Sequence, residues 1–133
     1  GETVDAEAET TASGEDYFST ARLSRKQARD TAISMLEEAK QDENASEDVL
    51  NEAAETLQVL AGYTVAESQI ENLVVAKGYT DCVAFMGADS VSVVVSSPTE
   101  LEAADVARIK DIVIAETDYT AGQIKIMEAG GAK

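Results

Sequence analysis

Four basic side chains are spaced so that they share one face of a helix, at positions i, i+3, i+4 and i+7: Arg22, Arg25, Lys26 and Arg29. The chemistry open to them is ion pairing with carboxylates. On a chain this acidic, the stripe is a candidate contact for the acidic face of a partner or of a second copy. The alternative is a solvated face with local pairs such as Lys26–Asp30, because most surface ion pairs contribute little stability.

Residue types that carry out catalysis or bind metals are scarce in this sequence. It contains no histidine, the commonest general base and metal ligand, and one cysteine, Cys82. Cys82 opens the apolar run 82–86, so we expect a buried side chain rather than a reactive thiol. The Gly130-Gly131 pair opens no helix and forms no phosphate-binding loop. The sequence therefore predicts no catalytic residue, no metal site and no cofactor.

The balance of charge excludes nucleic acids as partners. The formal net charge is −16, from 26 acidic and 10 basic residues, and such a field repels phosphate backbones and anionic lipid head groups. Hydrophobic residues make up 44% of the 133 residues, which is enough for a folded core. The sequence contains no run of about 18 apolar residues, the length that a membrane-spanning helix needs. Because the first residue is Gly1 rather than Met, we expect a truncated form of a longer protein.

Composition divides the chain into four segments. Residues 1–16 hold six acids and no base, which predicts a disordered acidic linker. Residues 130–133 predict a disordered tail. Between them we expect N-terminal helices over residues 17–62 and a second folded segment over residues 63–129.

The first half of the folded sequence has the apolar spacing of helices. Residues 23–40 predict one helix, and Ser46 is a suitable N-cap for the next. The helical spacing continues past Gly62 to Gly78, a good residue for the position after a helix end. Whether residues 46–78 form one bent helix or two stays open at this point.

The second half alternates in the manner of strands. The apolar run 82–86, the turn residues 87–89 and the alternating valines of 91–96 predict a β-hairpin. The capping-box sequence of residues 97–100 predicts a helix that begins at Pro98 and ends near residue 117. Residues 123–128 then predict a last strand.

The element order from residue 63 onward is therefore α-β-β-α-β, an α+β fold. We expect a three-stranded sheet with two helices on one face, preceded by an N-terminal helical hairpin. Strand 82–86 is apolar on both faces, so we predict it in the middle, with 91–96 and 123–128 as edges. Exposed edges can pair with a partner strand. The predicted interface therefore includes, besides the basic stripe, five residues of these edges: Val91, Val93, Val95, Gln123 and Lys125.

Several segments, in this order, resemble the soluble domain of the stage III sporulation protein AH family. The start is residues 17–25 (YFSTARLSR) followed by Arg29, and the ARLSR portion is the most specific part. Residues 77–85 (KGYTDCVAF) are similar to the family's loop and first strand. Residues 91–95 (VSVVV) resemble the family's second strand. Residues 109–113 (IKDIV) resemble its last helix, and residues 124–126 (IKI) resemble its last strand.

The resemblance implies a function without catalysis. Members carry an N-terminal membrane span, absent from this sequence, and act in the mother cell of endospore-forming Firmicutes during engulfment. The soluble domain lies between the mother-cell and forespore membranes, where it pairs with the forespore-anchored stage II sporulation protein Q and helps to form a channel. The α-β-β-α-β unit resembles the ring-building motif of type III secretion basal-body proteins, which implies self-association into a ring.

Two other functions stay open at the level of the sequence. A stand-alone domain that binds a ligand or peptide, unrelated to sporulation, would be favoured by an apolar pocket with converging polar groups. An enzyme would be favoured by a buried pair of carboxylates.

Overall fold

The computed structural model describes residues 13–129. Most of the predicted linker, 1–16, and all of the predicted tail, 130–133, lie outside the described residues. Helix α1 spans Ser13–Gln41, so it begins ahead of residue 17 and includes the last residues of the predicted linker.

Helix α2 spans Glu47–Ala76 as a single helix. Ser46 is its N-cap, as predicted, and its Oγ accepts the Val49 N–H over 3.2 Å. The helix passes through Gly62 without interruption, so residues 46–78 contain one helix and not two. Gly78 follows its C-cap with a φ of 110°, a conformation that residues with a Cβ rarely adopt.

Three strands and one further helix complete the predicted order α-β-β-α-β. Strands β1 (Asp81–Met86) and β2 (Val91–Ser96) form an antiparallel hairpin, closed by a Gly87 N–H to Ser90 carbonyl bond of 2.9 Å. Helix α3 (Ala103–Glu116) and a short 3₁₀ turn lead to β3 (Ile124–Glu128), which pairs with β2 in parallel.

The order of the strands corrects one prediction. The sheet runs β1-β2-β3, so the central strand is β2, and the prediction of strand 82–86 in the middle and of 91–96 as an edge is wrong. Val94 gives β2 a second apolar face. In the sequence this face is hard to recognise, because Val91, Val93 and Val95 alternate with the polar residues Ser92 and Ser96. The second apolar face of β1 is covered instead by α1, because Phe18 packs against Val83 and Val94.

Helices α2 and α3 cover the other face of the sheet, as predicted. Ile70 of α2 and Ile109 of α3 are fully buried in the main core, together with Ala84, Val93 and Ile124 from the three strands. Burial of one such aliphatic side chain contributes about 1.5–3 kcal/mol. This layer therefore fixes the orientation of α2, which in turn positions the charged residues described below.

Helix α3 begins later than the capping-box sequence predicts. Its N-cap is Glu102, whose N–H donates to Asp105 Oδ2 over 2.9 Å. Tyr79 Oη donates to the other Asp105 oxygen over 2.6 Å and ties this helix start to the loop before β1. The start at Pro98 is therefore wrong, because residues 97–102 are needed to cross from the central strand to the helical layer. The predicted end near residue 117 is confirmed by the C-cap, Thr117.

Candidate functional site

Three of the four residues in the basic stripe pair with carboxylates of α2. Arg29 and Glu67 form a bidentate ion pair, in which Nη1 donates to Oε1 over 2.7 Å and Nη2 donates to Oε2 over 3.2 Å. Arg25 Nη1 lies 2.7 Å from Glu71 Oε2, and Arg22 Nε lies 3.8 Å from Glu71 Oε1. The stripe therefore joins the two helices of the hairpin within one chain.

Two of the same arginines also donate to carbonyl oxygens on the outer edge of β1. Arg22 Nη2 donates to the Cys82 carbonyl over 2.6 Å and to Asp81 Oδ1 over 2.7 Å. Arg25 Nη1 donates to the Ala84 carbonyl over 2.5 Å. Charge-assisted bonds of this kind are short and strong. They occupy carbonyl oxygens that would otherwise be free to accept hydrogen bonds from a neighbouring strand.

Carboxylates satisfy the outward N–H groups of the same strand. The Ala84 N–H donates to Glu71 Oε2 over 2.9 Å, and the Met86 N–H to Glu67 Oε2 over 2.8 Å. The Cys82 N–H donates to Asp81 Oδ1 over 2.8 Å. Five charged side chains therefore bond the β1 backbone directly, and Arg29 holds one of the five, Glu67. We call these six side chains the β1 clamp: Arg22, Arg25, Arg29, Glu67, Glu71 and Asp81. Their bonds close an edge that would otherwise be free to pair with another strand.

The repeats of helix and strand explain why these residues meet. Outward positions on a strand recur every second residue, roughly 6.6 Å apart. Residues three or four apart on a helix are separated by about 4.5–6 Å along its axis. Successive members of a helical stripe can therefore stay near successive outward positions of β1.

The buried carboxylates of the clamp were not identified from the sequence. Glu67 is fully buried and Glu71 is 9% exposed. A signal for them existed, because they lie one helical turn apart on the same face as Ile70 and Val74. They are a buried pair of acids, the feature that would favour an enzyme, yet each is paired with arginine and bonded to a β1 amide. The arrangement is that of a structural ion-pair network rather than of an acid and base awaiting a substrate.

Lys26 is the member of the stripe that faces solvent. It pairs with Asp30 over 2.8 Å, and its side chain is 72% exposed. This is the local pair that the sequence allowed as the alternative to a partner contact. Use of the stripe as an interface stays a prediction, and Lys26 is its accessible part.

The outer edge of β3 differs from that of β1. The Ala129 N–H donates to the Val95 carbonyl over 2.9 Å, and Val95 is the ladder partner of Glu128. Ala129 therefore directs its backbone N–H toward β2. Because the direction of the backbone groups alternates along a strand, the N–H and C=O groups of Ile126 and Glu128 point away from β2. Within residues 13–129 no hydrogen bond reaches these outward groups. Among the described residues, β3 therefore offers an open edge.

The predicted interface residues of the last two strands fall into different environments. Lys125 is exposed on the sheet face opposite α2 and α3, beside Met127, which is 45% exposed. Gln123 lies in the turn before β3, where its side chain donates to the Asp89 carbonyl over 3.0 Å and accepts the Thr120 N–H over 2.9 Å. The three valines of the predicted edge are fully buried in the core of the central strand: Val91, Val93 and Val95.

Cys82 is a buried member of the main core, as predicted. Burial raises the pKa of its thiol to about 12, and the neighbouring Glu71 carboxylate adds to the increase. At neutral pH the side chain is a protonated, apolar packing group, because the thiolate is the reactive form.

A cavity of about 320 Å³ lies at the hairpin-turn end of the sheet. Its lining includes Tyr63, Met86 and Tyr119. The Tyr119 hydroxyl already donates to the Gly87 carbonyl, and the Gln123 amide is engaged as described above. These two polar groups of the lining are thus bonded within the fold.

Two further features can be stated for the part of the chain that the structure describes. No group of three or more Cys, Asp or Glu side chains is arranged to hold a metal ion there. None of the helices within residues 13–129 has the length and apolar character of a membrane span.

Comparisons with known proteins agree with this fold. The chain resembles a chain in a solved structure described as the SpoIIQ-SpoIIIAH pore forming complex, with 20% identity, a TM-score of 0.72 and coverage of 85% of this chain and 98% of that chain. It also resembles the enteropathogenic E. coli type III secretion protein EscJ, with 25% identity, a TM-score of 0.48 and coverage of 72% and 65%. No curated protein matches the chain. A family model described as SpoIIIAH-like protein matches residues 2–126. This match confirms the resemblance found in the sequence, and the chain belongs to the SpoIIIAH-like family.

Proposed function

We propose that the chain is a non-catalytic structural subunit of a sporulation channel or ring complex, bridging the mother-cell and forespore membranes during engulfment. The observation that carries the proposal is the outer edge of β3, which is open among residues 13–129, on a chain of this family. A chain with the same fold occurs in the SpoIIQ-SpoIIIAH pore forming complex, which supports a role through protein–protein contacts.

The proposed location follows from the family. An N-terminal span would hold the protein in the mother-cell membrane around the forespore. The folded part would lie in the intermembrane space, and the part of the predicted acidic linker that precedes α1 would act as its spacer. The strong negative charge of the chain would keep it away from anionic lipid surfaces.

The proposed partner is the forespore-anchored stage II sporulation protein Q. An extended segment of this partner would pair with the outward N–H and C=O groups of Ile126 and Glu128. Met127 and Lys125 would meet side chains of the partner on the adjoining sheet face. Self-association into a ring would use other surfaces, since β3 can pair with one strand at a time.

The absence of enzyme activity is part of the proposal. Glu67 and Glu71 are the carboxylates that are buried in the described part of the chain, and each is paired with an arginine. Cys82 has a pKa of about 12 and lies in the core, away from solvent. These groups support a structural role, because catalysis needs a titratable group that can reach a substrate.

Binding to the soluble domain of stage II sporulation protein Q tests the proposal. Glu128→Pro removes an N–H that points outward, so it disrupts strand addition while sparing the ladder with β2. We expect about tenfold weaker binding, the effect of losing roughly one or two hydrogen bonds. Glu128→Ala is the matched control, because it removes the same side chain and keeps the N–H; it should bind like the wild type.

Calorimetry or biolayer interferometry gives the affinities, and circular dichroism checks that each variant is folded. Equal affinity for the proline and alanine variants would exclude the β3 edge as the contact. A wild-type chain that does not bind the partner at all would contradict the proposed partnership.

A further inference from the structure

The outward backbone groups of the two sheet edges have the same spacing, but those of β1 are bonded to side chains and those of β3 are open among the described residues. Three outward positions on β1 have their N–H or C=O groups bonded to the clamp: Cys82, Ala84 and Met86. Three positions on β3 point outward in the same way: Ile124, Ile126 and Glu128. Both sets repeat every second residue, so one strand could be laid along the other in register.

The directions of the strands also suit such a pairing. β1 is antiparallel to β2, and β2 is parallel to β3. A second copy placed beside the first, with its sheet in the same orientation, brings its β3 antiparallel to β1. The antiparallel ladder would continue the sheet across two copies, and repetition of this head-to-tail contact would build a ring or a filament.

In the single chain, the clamp occupies the β1 edge and so prevents this pairing. It consists of side chains, which can be withdrawn, whereas a paired strand belongs to the sheet itself. Phe18 and Ala21 anchor the start of α1 on the sheet and keep the arginines in place. Withdrawal of Arg25 alone would leave the Glu71 carboxylate without its closest cation, so the closed state is favoured in the single chain.

We propose that the β1 edge is a latent docking site for the β3 edge of a second copy of this chain, and that the arginines of α1 keep it closed. The consequence is that copies do not capture one another's β3 edges, which stay available to a different partner. This inference goes beyond the proposed function, because it concerns a contact between copies that the closed β1 edge prevents, and its test needs no partner protein.

The double variant Arg22→Ala/Arg25→Ala tests the proposal by opening the edge. Its mass is measured by light scattering or sedimentation at several concentrations, in roughly 0.5 M salt, where repulsion between the acidic chains is screened. We expect a mass that rises with concentration, while the wild type stays at the mass of one chain. The matched control is Lys26→Ala, which removes a base of the same stripe that makes no clamp contact; it should also stay at that mass.

Adding Glu128→Pro to the double variant distinguishes edge pairing from other association. The triple variant should return to the mass of one chain, because one of the outward N–H donors of β3 is lost and proline is disfavoured inside a paired strand. A folded double variant that stays at the mass of one chain would overturn the proposal, and so would a triple variant that associates as well as the double variant. A wild type whose own association is abolished by Glu128→Pro would also overturn it.

A milder variant covers the case in which the double variant does not fold. Arg25→Lys keeps the positive charge beside Glu71 but lacks the guanidinium that reaches both Glu71 and the Ala84 carbonyl. We expect amide exchange at Ala84 to accelerate at least about tenfold, and a peptide of residues 121–129 to shift the Ala84 and Met86 amide signals. Faster exchange without any effect of the peptide would contradict the proposal.

Discussion

Ala84 donates its amide proton to Glu71 across 2.9 Å, which joins the outer edge of β1 to a helix 13 residues earlier in the chain. The same carboxylate oxygen lies 2.7 Å from Arg25 Nη1. The edge strand is therefore held by a charged side chain that is itself held by α1. Helix pairing and edge protection are one network, so a substitution in it should affect both.

Removal of the Glu71 carboxylate should be strongly destabilising. Glu71→Ala leaves Arg25 and the Ala84 amide without their acceptor, and we expect the free energy of unfolding to fall by about 3 kcal/mol. Glu71→Gln retains an acceptor and should cost less. Glu55→Ala, an exposed acid of the same helix, is the control and should change stability by less than about 0.5 kcal/mol. Denaturant titration gives the values; equal losses for Glu71→Ala and Glu55→Ala would contradict the account of the clamp.

Two glycines of the α2 region should respond to alanine in opposite directions. Gly62 lies inside the helix with open space around the position of a Cβ, so Gly62→Ala should stabilise the fold by about 0.5–1 kcal/mol. Gly78 has a φ of 110°, so Gly78→Ala should destabilise it by about 1–2 kcal/mol. Thermal unfolding of the two variants, each against the wild type, measures both signs. A stabilising Gly78→Ala would show that the helix end can be rebuilt without a positive φ.

Cys82 should make stability depend on pH in the alkaline range. The pKa of its thiol is raised from 9.0 to about 12 in the folded chain, chiefly by burial. The protonated thiol therefore favours the fold fully below about pH 9, and this contribution is lost as the pH rises through 9 toward 12. In Cys82→Ala the loss of stability between about pH 9 and 11 should be smaller than in the wild type.

The reactivity of the same thiol gives a second readout. At about pH 8 a thiol reagent should label native Cys82 far more slowly than the unfolded chain. Fast labelling of the native protein would mean that the thiol is accessible and that the raised pKa is wrong.

Lys26 tests whether the basic stripe contacts the partner. It is exposed and outside the clamp, so Lys26→Glu changes the surface charge and leaves the fold intact. If the stripe is an interface, binding to stage II sporulation protein Q should weaken by about threefold or more at low salt. Lys40→Glu, at the far end of α1, is the control for net charge. Identical effects of the two reversals would remove the stripe from the proposed interface.

The order of elements could be predicted from the sequence because it depends on local patterns. Helical spacing, the turn after residue 86 and the alternation of the last strand each involve neighbours in the chain. The order of strands could not be predicted in the same way. It depends on Phe18, which lies far from β1 in the sequence and covers an apolar face that otherwise indicates a central strand.

The candidate site shows the same limit more sharply. The spacing of Arg22, Arg25 and Arg29 predicts a stripe, and it is present. Its partners depend on how α1, α2 and β1 approach one another, which no pattern within a single element reports. Glu67 and Glu71 lie on the apolar face of α2, and an acid at such a position is a signal for a buried ion pair.

Amide hydrogen exchange of the wild-type chain, resolved residue by residue, tests the central claim that one edge of the sheet is closed and the other open. The outward amides of Ala84 and Met86 should exchange at least about 100-fold more slowly than those of Ile126 and Glu128, after correction for sequence effects. Comparable exchange at the four amides would contradict this account, and so would faster exchange on β1 than on β3.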